Sequence, residues 1–85
     1  MEIAYTKKAE NDIQHWKLSG NSSIQSKITQ LIEAIELNPY KGIGKPEPLK
    51  HQLSGKWSRR INQEHRIIYF VTDNKIIILS LKGHY

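Results

Sequence analysis

The chain of 85 residues contains a carboxylate in an unusual position, which could act in acid–base chemistry. Glu47 lies between two prolines: Pro46 fixes its own φ angle, and Pro48 favours an extended conformation at the residue before it. Rigid placement suits a general base, because a displacement of about 1 Å can reduce a rate about a hundredfold. Most loop carboxylates are solvated surface residues, however, so this pattern alone favours a surface glutamate.

Arginines in the second half of the chain could bind an anion. Alternation along the predicted strand Trp57–Asn62 places Arg60 on the more polar face, which makes it the better candidate for a phosphate. Arg59 would lie on the other face and either snorkel to solvent or pair with an acid. Arg66 begins the most hydrophobic strand, where it either ends that strand in solvent or lies at the rim of a site. A guanidinium can bind phosphate oxygens with two hydrogen bonds, and Arg60 and Arg66 could meet across the short connection between their strands.

The sequence ends in a histidine and a tyrosine directly after an apolar strand. His84 could serve as a general acid, and Tyr85 could stack on a base or supply a hydroxyl group. Terminal residues are usually frayed, and the residues alone favour that interpretation.

Charge is distributed unevenly along the chain. Residues 1–36 contain four Lys and Arg against five Asp and Glu, whereas residues 37–85 contain nine against three. A basic half of this kind is typical of proteins that bind RNA or DNA, but a basic surface without a partner fits the composition equally well.

Several classes of site are excluded by the residues that the chain lacks. It has no cysteine, so it cannot form a disulfide, a thiolate metal site or a thiol nucleophile. Its histidines show no metal-ligand spacing, and it has neither a glycine-rich phosphate loop nor a G-x-S-x-G motif. We therefore expect no metal and no cofactor. No apolar stretch approaches the ~20 residues of a membrane span, and the N-terminus does not resemble a signal peptide, so we expect a cytoplasmic protein without membrane contact.

The elements that would hold these residues form one predicted domain over residues 1–85. A short strand at residues 2–5 precedes a helix at Lys7–Leu18, and a second helix with an apolar stripe runs from Ser22 to Asn38-Pro39. After this helix the spacing of apolar residues changes from the helical period to the alternation that is typical of strands. The predicted strands are Trp57–Asn62, His65–Thr72 and Lys75–Lys82, and Leu49–Leu53 is also strand-like. The predicted fold is α+β, with two N-terminal helices packed on a small antiparallel sheet in the order β-α-α-β-β-β.

Several separate motifs, in order and at matching spacing, resemble the YoeB family of bacterial toxins within the RelE/ParE superfamily. The similarity runs nearly from end to end. Its specific parts are Gly44-Lys45-Pro46-Glu47-Pro48-Leu49-Lys50-His51, Leu53-Ser54-Gly55, Trp57-Ser58-Arg59-Arg60-Ile61, Glu64-His65-Arg66, Tyr69 and His84-Tyr85. The resemblance favours functional roles for Glu47, Arg66 and His84 over a surface glutamate, a solvent-exposed strand end and a frayed terminus.

The resemblance implies a RelE-like fold and a ribosome-dependent mRNA interferase that enters the A site of the 70S ribosome and cuts the messenger there. It also implies a YefM-like antitoxin, operator binding only through that antitoxin, and a homodimer. Cleavage would proceed without metal, by attack of a ribose 2′-hydroxyl on the adjacent phosphate. In that scheme Glu47 is the base, Arg66 stabilises the transition state and His84 is the acid. The substrate-binding residues would be Lys50, Arg60 and Tyr85.

Two other functions remain open at this stage. The protein could be a binding module that blocks the ribosome by charge without cleaving RNA. It could instead poison gyrase, as in the ParE branch of the superfamily, although the combination of Glu47, Arg66 and His84 argues against that branch.

Overall fold

The structure is a computed structural model that describes residues 1–83, and within this range two helices pack on one face of a five-stranded sheet. The elements are β1 (Glu2–Tyr5), α1 (Lys7–Ser19), α2 (Ser22–Leu37), β2 (Glu47–Pro48), β3 (Trp57–Arg60), β4 (Arg66–Thr72) and β5 (Lys75–Ser80). The predicted α+β class with two N-terminal helices on a small sheet is confirmed. None of the helices in this part of the chain is long and apolar enough to cross a membrane.

Both helices begin and end at residues suited to those positions. The Thr6 side chain accepts a hydrogen bond from the backbone of Ala9 at the start of α1, and Asn21 caps α2 in the same way. Gly20 ends α1 with a φ of 73°, a conformation that glycine adopts without steric cost. The apolar stripes of the helices cover one face of the sheet, and the completely buried side chains at this contact include Leu31, Ile35, Ile67, Ile76 and Ile78.

The sheet has the strand order β1-β5-β4-β3-β2. Neighbouring strands are antiparallel with one exception, since β1 runs parallel to β5 with Ile3 opposite Ile76. The expectation of a wholly antiparallel sheet is therefore wrong. The two helices carry the chain from β1 over the face of the sheet, and β1 forms the edge next to the last strand. The predicted turn Asp73-Asn74 is confirmed, and both residues have positive φ.

The strand predicted at Leu49–Leu53 is wrong. Pairing with β3 is limited to Glu47 and Pro48, and His51–Leu53 forms a 3-10 turn that begins with a φ of 59° at His51. A positive φ interrupts the alternation that a strand needs, and Pro48 cannot donate to the sheet. The strand predicted at Trp57–Asn62 ends earlier than expected, at Arg60. The Asn62 side chain accepts hydrogen bonds from the backbone of residues 64 and 65 and closes a turn there.

Candidate functional site

The face of the sheet away from the helices carries three of the predicted site residues. Partners in an antiparallel register project to the same face, and Glu47 pairs with Ser58 while Arg60 pairs with Arg66. Because Ser58 and Arg60 are two residues apart on β3, all four side chains share one face. Strand spacings of about 4.8 Å and a rise of about 3.4 Å per residue put the Cα atoms of Glu47 and Arg66 about 12 Å apart. That separation leaves room for a ligand between the carboxylate and the guanidinium.

Glu47 is held by its backbone and has a free side chain. It pairs with β3, and the backbone N–H of Leu49 donates to the carbonyl of Lys56 at 2.9 Å. The carboxylate is exposed and forms no hydrogen bond or ion pair with any residue in 1–83. Glu47 and Lys50 line one cleft on the surface. A fixed backbone and an unengaged carboxylate are what a general base requires.

The loop that leads to Glu47 is tied from inside the protein by Arg59. This side chain is completely buried, and its guanidinium donates to three carbonyl oxygens at N–O distances of 2.5, 3.0 and 3.1 Å. The acceptors belong to Asn38, Lys41 and Ile43. Nε donates to the Tyr69 hydroxyl, which in turn donates to the carbonyl of Pro39. The expectation that Arg59 would snorkel or pair with an acid is therefore wrong.

Neutral groups compensate this buried charge because several carbonyl dipoles converge on it. One of them belongs to Asn38, the residue that ends α2, where the helix dipole is negative. The loop can approach so closely because it contains glycines. A Cβ on Gly42 would lie 3.0 Å from Nη1 of Arg59, and one on Gly44 would lie 2.6 Å from a methyl group of Leu31. The carbonyl of Gly44 also accepts from the backbone N–H of Arg60, which joins the loop to β3.

Arg66 is arranged to offer donors to a ligand. Its Nη1 donates to the carbonyls of Asn62, Gln63 and His65 at 2.9 to 3.3 Å, so the guanidinium is fastened over the 62–65 turn. Within residues 1–83, these are the hydrogen bonds of the Arg66 side chain, and Nε and Nη2 remain available. The prediction that Arg60 and Arg66 meet across the connection is confirmed by their pairing.

Cations at the site are not neutralised by nearby acids. The ion pair found in residues 1–83 is Lys8–Asp12 on α1, so Lys50, Arg60 and Arg66 have no carboxylate partner in this range. Arg60 also lines a second cleft with Lys27 of α2 and Lys45 of the loop. The unpaired cations of this cleft create a potential that attracts a polyanion. Sequence reasoning missed Lys27, because a helix residue far away in sequence gives no local signal that it joins this cleft.

His84 and Tyr85 lie outside the described residues, but the segment that leads to them is described. The backbone N–H of Leu81 donates to Oδ2 of the buried Asp12, and its carbonyl accepts from the indole of Trp16, both at 2.9 Å. Asp12 and Trp16 are four residues apart and therefore lie on one face of α1. The next anchor is Gly83, whose carbonyl accepts from the backbone N–H of Arg66 at 2.9 Å.

Asp12 and Trp16 were also not identified as positioning residues from the sequence. An available signal was the position of Asp12 on the apolar face of α1, between Ala9 and Trp16. A carboxylate at such a position needs a partner inside the fold. Among residues 1–83, no group of three His, Cys, Asp or Glu side chains is close enough to hold a metal ion.

The chain is similar to known proteins over nearly its whole length. Residues 5–85 match the family described as "YoeB-like toxin of bacterial type II toxin-antitoxin system". The YoeB toxin of Synechocystis sp. is 46% identical over 85 residues, which cover all of this chain and 98% of the relative. A YoeB/ParE toxin from Agrobacterium tumefaciens superimposes with a TM-score of 0.94 at 34% identity, with complete coverage of both chains.

Two solved structures from Staphylococcus aureus are also similar, a YoeB dimer and a YoeB–YefM complex. They give TM-scores of 0.89 and 0.88 at 42% and 43% identity, and in each case cover all of this chain and 98% of the other.

Proposed function

Because the chain belongs to the family of YoeB-like toxins of bacterial type II toxin–antitoxin systems, we propose that it is a ribosome-dependent endoribonuclease that cleaves mRNA in the ribosomal A site. The observation that carries the proposal is the common sheet face of Glu47, Arg60 and Arg66, next to the anchored Gly83. Substrate and ribosome are both polyanions and suit the unpaired cations of this face.

The proposed reaction is an internal transphosphorylation. Glu47 takes the proton of a ribose 2′-hydroxyl, whose oxygen forms a bond to the adjacent phosphorus. The bond between phosphorus and the 5′-oxygen breaks, and His84 donates a proton to that leaving oxygen. The products are a 2′,3′-cyclic phosphate and a 5′-hydroxyl end. The nucleophile belongs to the substrate, so the reaction needs no serine or cysteine.

Binding and charge stabilisation are assigned to the cations. Negative charge grows on the non-bridging oxygens as the phosphorus becomes five-coordinate, and the Nε and Nη2 donors of Arg66 would hydrogen-bond to it. Arg60 and Lys50 hold the neighbouring phosphates, and Tyr85 orients the nucleotide. The scheme uses protein side chains alone, without a metal ion.

The proposed regulatory partner is a YefM-like antitoxin, in keeping with the S. aureus YoeB–YefM complex. An acidic, partly disordered segment of the antitoxin would fold over the unpaired cations and bury them. Operator DNA would be bound only through that partner. The S. aureus YoeB dimer supports a homodimer for the free protein, which acts on ribosomes in the cytoplasm.

The test is to map the 5′ ends of mRNA in a translating bacterial extract after addition of the purified protein. Glu47→Gln and His84→Gln should each lower cleavage by about 10²–10⁴-fold, because each removes one proton transfer. Glu33→Gln is the matched control for Glu47→Gln, since it changes an exposed glutamate on α2 and should cleave like wild type. Replacing the attacking nucleotide by its 2′-deoxy form should abolish cleavage, and cleavage at an unchanged rate would exclude the mechanism.

The other two functions predict different results. A pure binding module would inhibit translation without new 5′ ends, and His84→Gln would inhibit as strongly as wild type. A gyrase poison would leave mRNA intact and produce double-strand DNA breaks in cells.

A further inference from the structure

Two consecutive residues, His65 and Arg66, bind the two backbone polar groups of Gly83. Its backbone N–H donates to Nδ1 of His65 at 2.8 Å, and its carbonyl accepts from the backbone N–H of Arg66 at 2.9 Å. Glycine 83 lies beyond the end of β5, so this pair of bonds replaces the regular pairing that has stopped at Ser80. The residue before His84 is therefore fastened directly to the residue that we assign to transition-state stabilisation.

The imidazole of His65 is itself held in place by α1. It meets the indole of Trp16 edge to face, with ring centroids 4.9 Å apart and an interplanar angle of 79°. The same indole donates to the carbonyl of Leu81, two residues before Gly83. One side chain of α1 therefore orients both the backbone of the C-terminal segment and the ring that binds it.

The contact also determines the tautomer of His65. A backbone N–H can only donate, so Nδ1 must offer its lone pair to Gly83. The proton of the neutral ring is then on Nε2. Binding of the Gly83 N–H therefore requires an acceptor at the position of Nδ1, and an acceptor at another position of the side chain would not replace it.

We propose that His65 is a positioning residue of the RNA-cleaving site: its Nδ1 fixes the backbone of Gly83 and so sets where the chain enters His84 relative to Arg66. This inference rests on the proposed function for its catalytic consequence. His65 does not touch the substrate in this scheme, and its effect on cleavage passes through Gly83. A misplacement of about 1 Å at the acid would reduce the rate about a hundredfold.

Three substitutions separate the acceptor from the ring. Asn carries an oxygen one bond from Cγ, where His65 carries Nδ1, so His65→Asn retains an acceptor for Gly83. His65→Gln carries its amide one bond further out and loses that acceptor. His65→Phe keeps an aromatic ring against Trp16 but offers nothing to the Gly83 N–H.

The first readout is single-turnover cleavage of mRNA on programmed ribosomes, with the toxin concentration varied. We expect His65→Phe and His65→Gln to lower the maximal rate by about ten- to a hundredfold, with an unchanged half-saturating concentration. His65→Asn should stay within about threefold of wild type. Wild-type rates in both Phe and Gln variants, or equal losses in Asn and Gln, would overturn the proposal.

The second readout does not depend on RNA cleavage. Hydrogen exchange of the Gly83 amide, followed by NMR in the free protein, should accelerate in the Phe and Gln variants and remain slow in the Asn variant. If wild type fails to cleave mRNA, the proposed function fails, while this measurement still reports whether His65 holds Gly83. Unchanged exchange in all three variants would disprove the anchor itself. Should His65→Phe not fold, as judged by circular dichroism, the comparison of Asn with Gln decides.

Discussion

The segments on either side of the candidate site are held by opposite kinds of chemistry. The loop before Glu47 wraps around the buried cation of Arg59, which binds three backbone carbonyls at once. The segment before His84 is held by a carboxylate and two rings, which bind one backbone group at a time along Leu81 and Gly83. A loop without regular pairing has many carbonyls to satisfy, and a planar guanidinium with five donors satisfies several of them together.

This difference predicts different consequences of damage. Arg59 lies in the core between sheet, loop and the end of α2, so its loss affects the whole fold. The contacts of Leu81 and Gly83 lie beyond the last strand, so their loss should affect the local backbone first. Stability measurements and cleavage measurements should therefore separate the two regions.

The largest expected effect is that of Arg59→Met. The substitution removes a completely buried guanidinium together with its bonds to three carbonyls and to the buried Tyr69 hydroxyl, and we expect the free energy of unfolding to fall by about 3 kcal/mol or more. Urea denaturation followed by circular dichroism measures it. Arg60→Met is the matched control, because this neighbouring arginine is exposed and should change stability by at most about 0.5 kcal/mol. Similar losses of unfolding free energy in the two variants would mean that the buried contacts of Arg59 do not stabilise the loop region more than an exposed arginine does.

Asp12→Ala should have an intermediate effect on the other region. It leaves the buried N–H of Leu81 without an acceptor, which is expected to cost about 1–2 kcal/mol of unfolding free energy. Cleavage of mRNA, measured where the variant remains folded, should fall by a larger factor than that of any variant on the exposed face of α1. Lys8→Ala is the comparison: it breaks the ion pair of the buried carboxylate but leaves the Leu81 contact, and should cost less than Asp12→Ala. If Lys8→Ala proves as costly as Asp12→Ala, the ion pair and not the backbone contact anchors this segment.

The contacts that sequence patterns predicted are local ones. The helix bounded by Thr6 and Gly20, and the turn at Asp73-Asn74, follow from caps, glycine and residues that tolerate positive φ. Alternation also correctly separated Arg59 from Arg60, and the short connection brought Arg60 beside Arg66. Each of these depends on residues a few positions apart.

What sequence patterns did not predict depends on distant partners. The acceptors of Arg59 lie 16 to 21 residues before it, and the partner of Asp12 lies 69 residues after it. The parallel pairing of β1 with β5 likewise joins the two ends of the chain. The strand-like run Leu49–Leu53 failed for a different reason, since apolar alternation says nothing of the positive φ at His51 that converts it to a turn.

The Tyr69 hydroxyl provides the most specific test of the loop region, and its expected effect on the unfolding free energy is the smallest. Burial raises the pKa of the Tyr69 phenol above its usual 10.0, and the hydrogen bond and charge of Arg59 oppose that increase without cancelling it. The folded state therefore keeps this proton at a pH where the unfolded chain has lost it. The resulting stabilisation is fully present below pH 10.0 and is lost as the pH rises through the higher pKa of the folded state.

Tyr69→Phe should consequently do two things. Near neutral pH it removes the hydroxyl between Arg59 and Pro39 and should cost about 1 kcal/mol. It should also make the decline of unfolding free energy above pH 10.0 less steep, by up to about 1.4 kcal/mol per pH unit. Tyr5→Phe is the matched comparison: the pKa of Tyr5 is also raised, by burial and by Glu36, but this residue is 38% exposed, so its contribution should be smaller. Urea denaturation about one unit below and one unit above pH 10.0 makes the comparison. An equal alkaline decline in wild type and Tyr69→Phe would mean that the hydroxyl opens to solvent together with the loop, and that Arg59 holds this region less firmly than its contacts indicate.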